Sequence, residues 1–182
     1  GELHIAGSWA FLNLFSNPTN VESETHLVVP DVVLATAIKD ENGEWRVVLE
    51  SDAEFKSIVS QLPDELLSPE SKNILSTAVT FPQSSNALYN FPGLPWAVNS
   101  SWRYNQGPHG GTQDALDFGT PNQTSDTVRA ADAGVVMYRT ETCMGLRRSD
   151  NLRIWYQHLR PEDIAGWTVG ANVSLNQVLG MT

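Results

Sequence analysis

The stretch NQGPHGGTQDALDFGTP, residues 105–121, holds the side chains best suited to chemistry. It sets His109 in a glycine-rich turn and follows it with two carboxylates, Asp114 and Asp117. Zinc binds neutral imidazole and carboxylate ligands, and a catalytic zinc takes three protein ligands and keeps a fourth position for water. Asp117 lies between two apolar residues, where a cation would neutralise a charge that is costly to bury. His109 and Asp117 are therefore candidate metal ligands.

Asp117 also has a plain structural explanation. In a strand, Leu116 and Phe118 would share one face, and Asp117 would point from the opposite face to solvent. Spacing alone leaves both interpretations open, because histidine and aspartate lie this close in many chains.

His158 ends the stretch NLRIWYQHL, which alternates as strands do. The alternation predicts a strand through Leu159 and places Tyr156 and His158 on one face, with Trp155 and Leu159 on the other. The remaining two histidines, His4 and His26, have no ligand-like neighbours, and we expect them at the surface or at strand ends.

Size and charge limit the classes of function. The chain has 182 residues, of which 41% are hydrophobic, enough for one ordinary domain or two small ones. A net charge of -10, from 21 acidic and 11 basic residues, argues against electrostatic binding to nucleic acid or anionic lipid. No stretch reaches the roughly 18 apolar residues of a membrane span.

The first half of the chain reads as a small α+β module. Residues 31–50 predict a β-hairpin about the turn DENG, because valine and tryptophan favour strands. SDAEFKSIVSQL has helical spacing, with Ser51 or Asp52 as the expected cap. SPESKNIL predicts a second helix, with Ser68 as cap and Pro69 at the first position.

The second half reads as an antiparallel β domain. The proline-rich stretch TFPQSSNALYNFPGLPW has the composition of a linker, so we expect a boundary near Asn86 that separates residues 1–86 from residues 87–182. Beyond Pro95, short strands alternate with glycine, proline and asparagine, and no helix is predicted. The expected fold is mostly β, an antiparallel sheet domain preceded by the α+β module.

The second half also resembles a known family. LPWAVNSSWRYNQGPHGGTQDALDFGTP is similar to the opening of the lysostaphin-type zinc endopeptidases, particularly the staphylolysin-like branch. VRAADAGVVMYR, IWYQHL and VGANVSLNQVLG resemble later motifs of that family, in the same order. The resemblance covers about Leu94 to Thr182, and the first half is similar to the accessory segment of some bacterial members.

The resemblance implies a zinc-dependent endopeptidase of the peptidoglycan-hydrolase type. It makes His109 and Asp117 ligands of one Zn²⁺ ion, with Asp114 as a competitor because the spacing from His109 is longer than in the shortest members. It makes His158 a catalytic histidine that stabilises the attacked carbonyl and its oxyanion. The implied substrate is peptide or peptidoglycan cut beside glycine or another small residue, and the implied location is secreted or in the cell envelope.

One departure from the family concerns an H-x-H motif that supplies its third zinc ligand and a second catalytic histidine. No histidine follows His158 in this chain. The resemblance therefore implies a truncated or incomplete form, expected to bind zinc weakly.

Cys143, the single cysteine, would by default be an inert buried thiol. The resemblance implies instead that it pairs with a cysteine in the missing segment.

The alternative function is a degenerate, non-catalytic module that binds cell wall or protein. A third hypothesis, that the first module binds a partner and the β domain supports it, is the least favoured of the three, because residues 1–86 show no group of polar residues that could form a site.

Overall fold

In a computed structural model of the chain, the described residues are 1–15, 32–77, 92–109, 115–121 and 126–182. For Phe15 and for residues 106–109 and 115–116, only the backbone is described. The predicted boundary near Asn86 lies outside these ranges, as do His26 and Asp114.

The first half forms a four-stranded antiparallel sheet in the order β1-β2-β3-β4. Its strands are β1 (Leu3–Ala6), β2 (Trp9–Phe15), β3 (Val32–Lys39) and β4 (Trp45–Leu49). The predicted hairpin is confirmed as β3 and β4. Its turn is closed by the Asp40 carboxylate, which accepts hydrogen bonds from the amides of Asn42 and Glu44. The hydrogen bond from Glu44 is the main reason that the pKa of Asp40 is lowered.

Two helices follow the sheet, α1 (Phe55–Gln61) and α2 (Pro69–Thr77). The predicted cap of α2 is confirmed, since the Ser68 hydroxyl accepts a hydrogen bond from the Ser71 amide. The predicted cap of α1 is wrong: α1 begins after Glu54, which makes no capping bond with its side chain. Asp52 instead accepts a hydrogen bond from the Leu49 amide, because it closes the turn that leaves β4.

The second half is built from short strands paired only antiparallel, so the expected mostly β, antiparallel fold is confirmed. Its elements in chain order are β5 (Arg103–His109), β6 (Ala115–Gly119), β7 (Thr127–Arg129), β8 (Gly134–Arg139), β9 (Met144–Arg147), β10 (Arg153–Tyr156), α3 (Pro161–Ile164), β11 (Asn172–Val173) and β12 (Val178–Met181). The described strands form one sheet in the order β10-β9-β8-β11 and the two pairs β12-β7 and β5-β6. No helix in the described part of the chain is long and apolar enough to cross a membrane.

The expectation of no helix after Pro95 is wrong for α3. This helix has only four residues, too few to show a helical period, and proline occupies its first turn. Ile164 at its end is fully buried, so packing of this side chain against the domain stabilises a helix that is too short to be predicted from periodicity.

Strand β8 lies between two hydrophobic cores. Val135 and Met137 pack into the first core with side chains of the first half, whereas Val136 packs into the second core. A strand buried on both faces reads as a continuous apolar run, as GVVMY does here. The first core therefore contains residues from both sides of the predicted boundary.

Candidate functional site

Strands β5 and β6 form a hairpin that carries both predicted metal ligands. The backbone of His109 pairs with that of Ala115, and Asp117 pairs with Gln106. The register shifts twice along the hairpin, between Tyr104 and Gln106 and again before His109. His109 and Asp117 therefore lie on adjacent strands of one hairpin, offset by two residues.

Aromatic rings attach this hairpin to the rest of the second half. Trp96 stacks on Trp102 with 5.1 Å between ring centroids and meets the edge of Phe118 at 4.9 Å. Tyr104 lies opposite Phe118 in the strand pair, and their centroids are 5.8 Å apart. Because Trp102 also packs against the second core, the rings hold the hairpin on the domain.

Asp117 is partly buried, whereas the sequence left open either a buried metal ligand or a strand residue that faces solvent. Its neighbour Phe118 contacts two aromatic rings and still has 37% of its surface exposed. Phe118, next to Asp117, therefore lies at the rim of an aromatic cluster.

His158 follows β10 in a loop. The predicted strand through Leu159 is too long, since β10 ends at Tyr156. His158 has a φ of +60°, in the left-handed region that a strand cannot contain and that histidine adopts more readily than most residues. This reversal leaves the His158 side chain exposed, while Leu159 is buried and its amide donates to the Thr142 carbonyl.

The fold thus brings two of the three predicted site residues onto one hairpin. His109 and Asp117 share β5 and β6, whereas His158 follows a strand of the sheet β10-β9-β8-β11. Within the described ranges, no three histidine, cysteine, aspartate or glutamate side chains form a group that could hold a metal ion. His4 lies in β1, partly exposed, with its Nε2 3.5 Å from the Glu2 carboxylate.

Cys143 packs against the first core at the turn between β8 and β9. Burial raises the pKa of its thiol to about 11, so the group is protonated at neutral pH. Its amide donates a hydrogen bond to the Thr140 hydroxyl.

Tyr156 is a residue near the site that sequence reasoning did not single out. Its ring lies in the second core, and its hydroxyl oxygen accepts a hydrogen bond from the Ala131 amide at 2.8 Å. The strand alternation placed Tyr156 on one face with His158, but it did not indicate the Ala131 amide as a hydrogen-bond partner. Tyr156 ties β10, just before His158, to the loop that precedes β8.

Tyr156 makes stability depend on alkaline pH. Burial raises its pKa to about 12, against about 10 for tyrosine in an unfolded chain. Between these values the unfolded state loses the proton first, so the contribution is complete below pH 10 and disappears as pH rises toward 12. We expect the wild-type chain to lose about 1 kcal/mol more than Tyr156→Phe between pH 9 and pH 11. Urea unfolding at both pH values measures this, and equal losses would contradict it.

No family model matches the chain, and no curated protein or solved structure is significantly similar to it.

Proposed function

We propose that the chain carries a zinc-dependent endopeptidase site that cuts peptides beside glycine or another small residue, as in peptidoglycan. The observation that carries the proposal is the β5-β6 hairpin, with His109 and Asp117 on its adjacent strands. The ordered motifs that resemble the lysostaphin-type enzymes support the same reaction and suggest an extracytoplasmic location.

The donor set suits zinc in kind and falls short in number. Imidazole nitrogen and carboxylate oxygen are both zinc ligands, but a catalytic zinc takes three protein ligands and a water. His109 and Asp117 supply two of these three. In a complete site, zinc would make hydroxide available from its bound water near neutral pH. This pair alone does not complete a catalytic zinc site.

His158 contributes an exposed imidazole that could donate a hydrogen bond to a substrate carbonyl oxygen. A donor aimed at the oxygen of a tetrahedral intermediate is typically worth about 3 kcal/mol. The positive φ of His158 supports a functional role, because non-glycine residues with a strained backbone are often found at active sites.

Zinc binding tests the two ligands directly. We expect calorimetric titration with zinc alone to show a weak complex that both His109→Ala and Asp117→Asn weaken at least about tenfold, since each removes one of only two donors. Asp114→Asn is the matched control, a nearby carboxylate lost without effect. Unchanged zinc affinity in the two ligand variants would refute the assignment, and a loss confined to Asp114→Asn would move the second ligand to that residue.

Cleavage of a glycine-rich peptide in the presence of zinc tests the reaction. Because His109 and Asp117 supply two of the three expected zinc ligands, we expect little cleavage by this chain; any residual cleavage should fall about 100-fold in His158→Asn, which preserves the fold because asparagine tolerates a positive φ. Robust zinc-dependent cleavage by this chain alone would contradict the incomplete site, and peptide binding that does not depend on zinc would favour the alternative, a non-catalytic binding module.

A further inference from the structure

We call the described residues 1–15 and 32–77 the front segment. The front segment covers one face of the sheet β10-β9-β8-β11. Phe11 of β2 and Leu75 of α2 are fully buried in the first core together with Val135 and Met137 of β8. From the second half, Trp155 of β10 also packs against this core. The contact is therefore apolar at its centre and involves both a central and an edge strand of the sheet.

Two buried hydrogen bonds cross the same contact. The Asn13 amide nitrogen donates to the Met137 carbonyl at 2.9 Å, and the Ser71 hydroxyl donates to the Gly170 carbonyl at 2.9 Å. Both acceptors are main-chain oxygens of the second half. Docking of the front segment therefore replaces water at both carbonyl oxygens with a protein donor, and a docked segment that lacked these donors would leave the oxygens buried and unpaired.

The ion pairs that join described residues across the contact have the same polarity. Glu2 binds Arg139, with 2.7 Å between carboxylate oxygen and Nε, and also accepts a hydrogen bond from the Val169 amide. Glu50 binds Arg147 at 3.3 Å and Arg153 at 3.2 Å. In these pairs the front segment supplies the carboxylate and the second half the guanidinium, which is the complementarity expected of two docking partners.

The fit is close at the backbone of Gly170. This glycine has a φ of +91°, and a Cβ there would lie 2.8 Å from Leu67 Cδ2 and 3.2 Å from Phe11 Cε1. The front segment therefore touches main chain, as partners with complementary shapes do.

We propose that the face of β10-β9-β8-β11 is an interaction surface whose partner is the front segment, bound tightly enough to stay docked when the chain between them is cut. The covalent link then serves to bring the two parts together, and the apolar core, the two hydrogen bonds and the acid-to-arginine pairs hold them.

Cutting the full chain tests the proposal. A site for a sequence-specific protease is inserted after Gln83, in the proline-rich stretch, and the purified folded chain is cleaved completely. We expect the two fragments to co-elute as one species in gel filtration and to keep the circular dichroism of the uncut protein. Separation of the fragments at micromolar concentration, whether either stays folded or precipitates, would overturn the proposal.

The ion pairs are tested in the same cleaved format. Glu50→Gln is expected to raise the dissociation constant of the fragments at least about tenfold, because Arg147 is left buried without its carboxylate. Glu54→Gln is the matched control, since Glu54 pairs with Arg46 inside the front segment and is exposed. Equal effects of the two variants would overturn the role given to Glu50. If Glu50→Gln fails to fold, co-elution or separation of the cleaved wild-type fragments decides the proposal.

Discussion

Glu50→Ala is expected to lower the free energy of unfolding by about 3 kcal/mol or more, a large part of the stability of a domain this size. The Glu50 carboxylate forms ion pairs with Arg147 and Arg153, and the Arg147 side chain is almost fully buried. Burial lowers the pKa of Arg147, and Glu50 opposes that shift. Without the Glu50 carboxylate, the buried Arg147 guanidinium loses its ion pair and keeps the hydrogen bond to the neutral Asn151 side chain.

Urea unfolding followed by circular dichroism measures the effect of Glu50→Ala. Glu54→Ala is the control, because its pair with Arg46 is exposed and worth at most about 1 kcal/mol. The double variant Glu50→Ala, Arg147→Met should recover part of the loss, since it also removes the uncompensated cation. A double variant no more stable than Glu50→Ala would show that the buried charge is not the cause.

Phe11→Ala is expected to lower the free energy of unfolding by about 4 kcal/mol. Phe11 is 0% exposed in the first core, and its ring edge lies against Gly170 of the second half. The substitution removes buried apolar surface and leaves a cavity that neighbours from both halves cannot readily fill, because β8 is packed on both faces.

Hydrogen exchange of β3 and β8, together with urea unfolding, measures the effect of Phe11→Ala. Protection should fall in both strands, since the ring contributes to a core that they share. Leu14→Ala on the same strand is the control, because Leu14 is 45% exposed and its loss should cost less than about 1 kcal/mol. A loss of protection confined to β3 would contradict a shared core.

Features determined by neighbouring residues could be predicted from the sequence. The hairpin of β3 and β4 and the cap of α2 follow from turn and capping residues a few positions apart. The cap of α1, the end of β10 and the existence of α3 could not, because tertiary contacts override weak local signals there. His158 shows this plainly: the alternation was correct up to Tyr156, and one positive φ ended it.

The contacts between the halves could not be predicted for a similar reason. Asn13 bonds to Met137, 124 positions away, and Arg153 reaches Glu50 across 103. Nothing in a local pattern indicates such partners, so the core that both halves share could not be predicted from the sequence. The candidate site differed, because His109 and Asp117 lie on consecutive strands and a hairpin brings such strands together.

The attachment of the β5-β6 hairpin has a consequence for any ligand that it binds. Among the described strands these two pair only with each other, and a two-stranded hairpin alone is at best marginally stable in water. The rings of Trp96, Trp102 and Phe118 hold it on the domain, so its local opening should require less free energy than global unfolding. A ligand that binds only the closed hairpin has its affinity reduced in proportion to the closed fraction, and its binding lowers the open fraction in return. Ligand binding and local folding of this hairpin are one linked equilibrium.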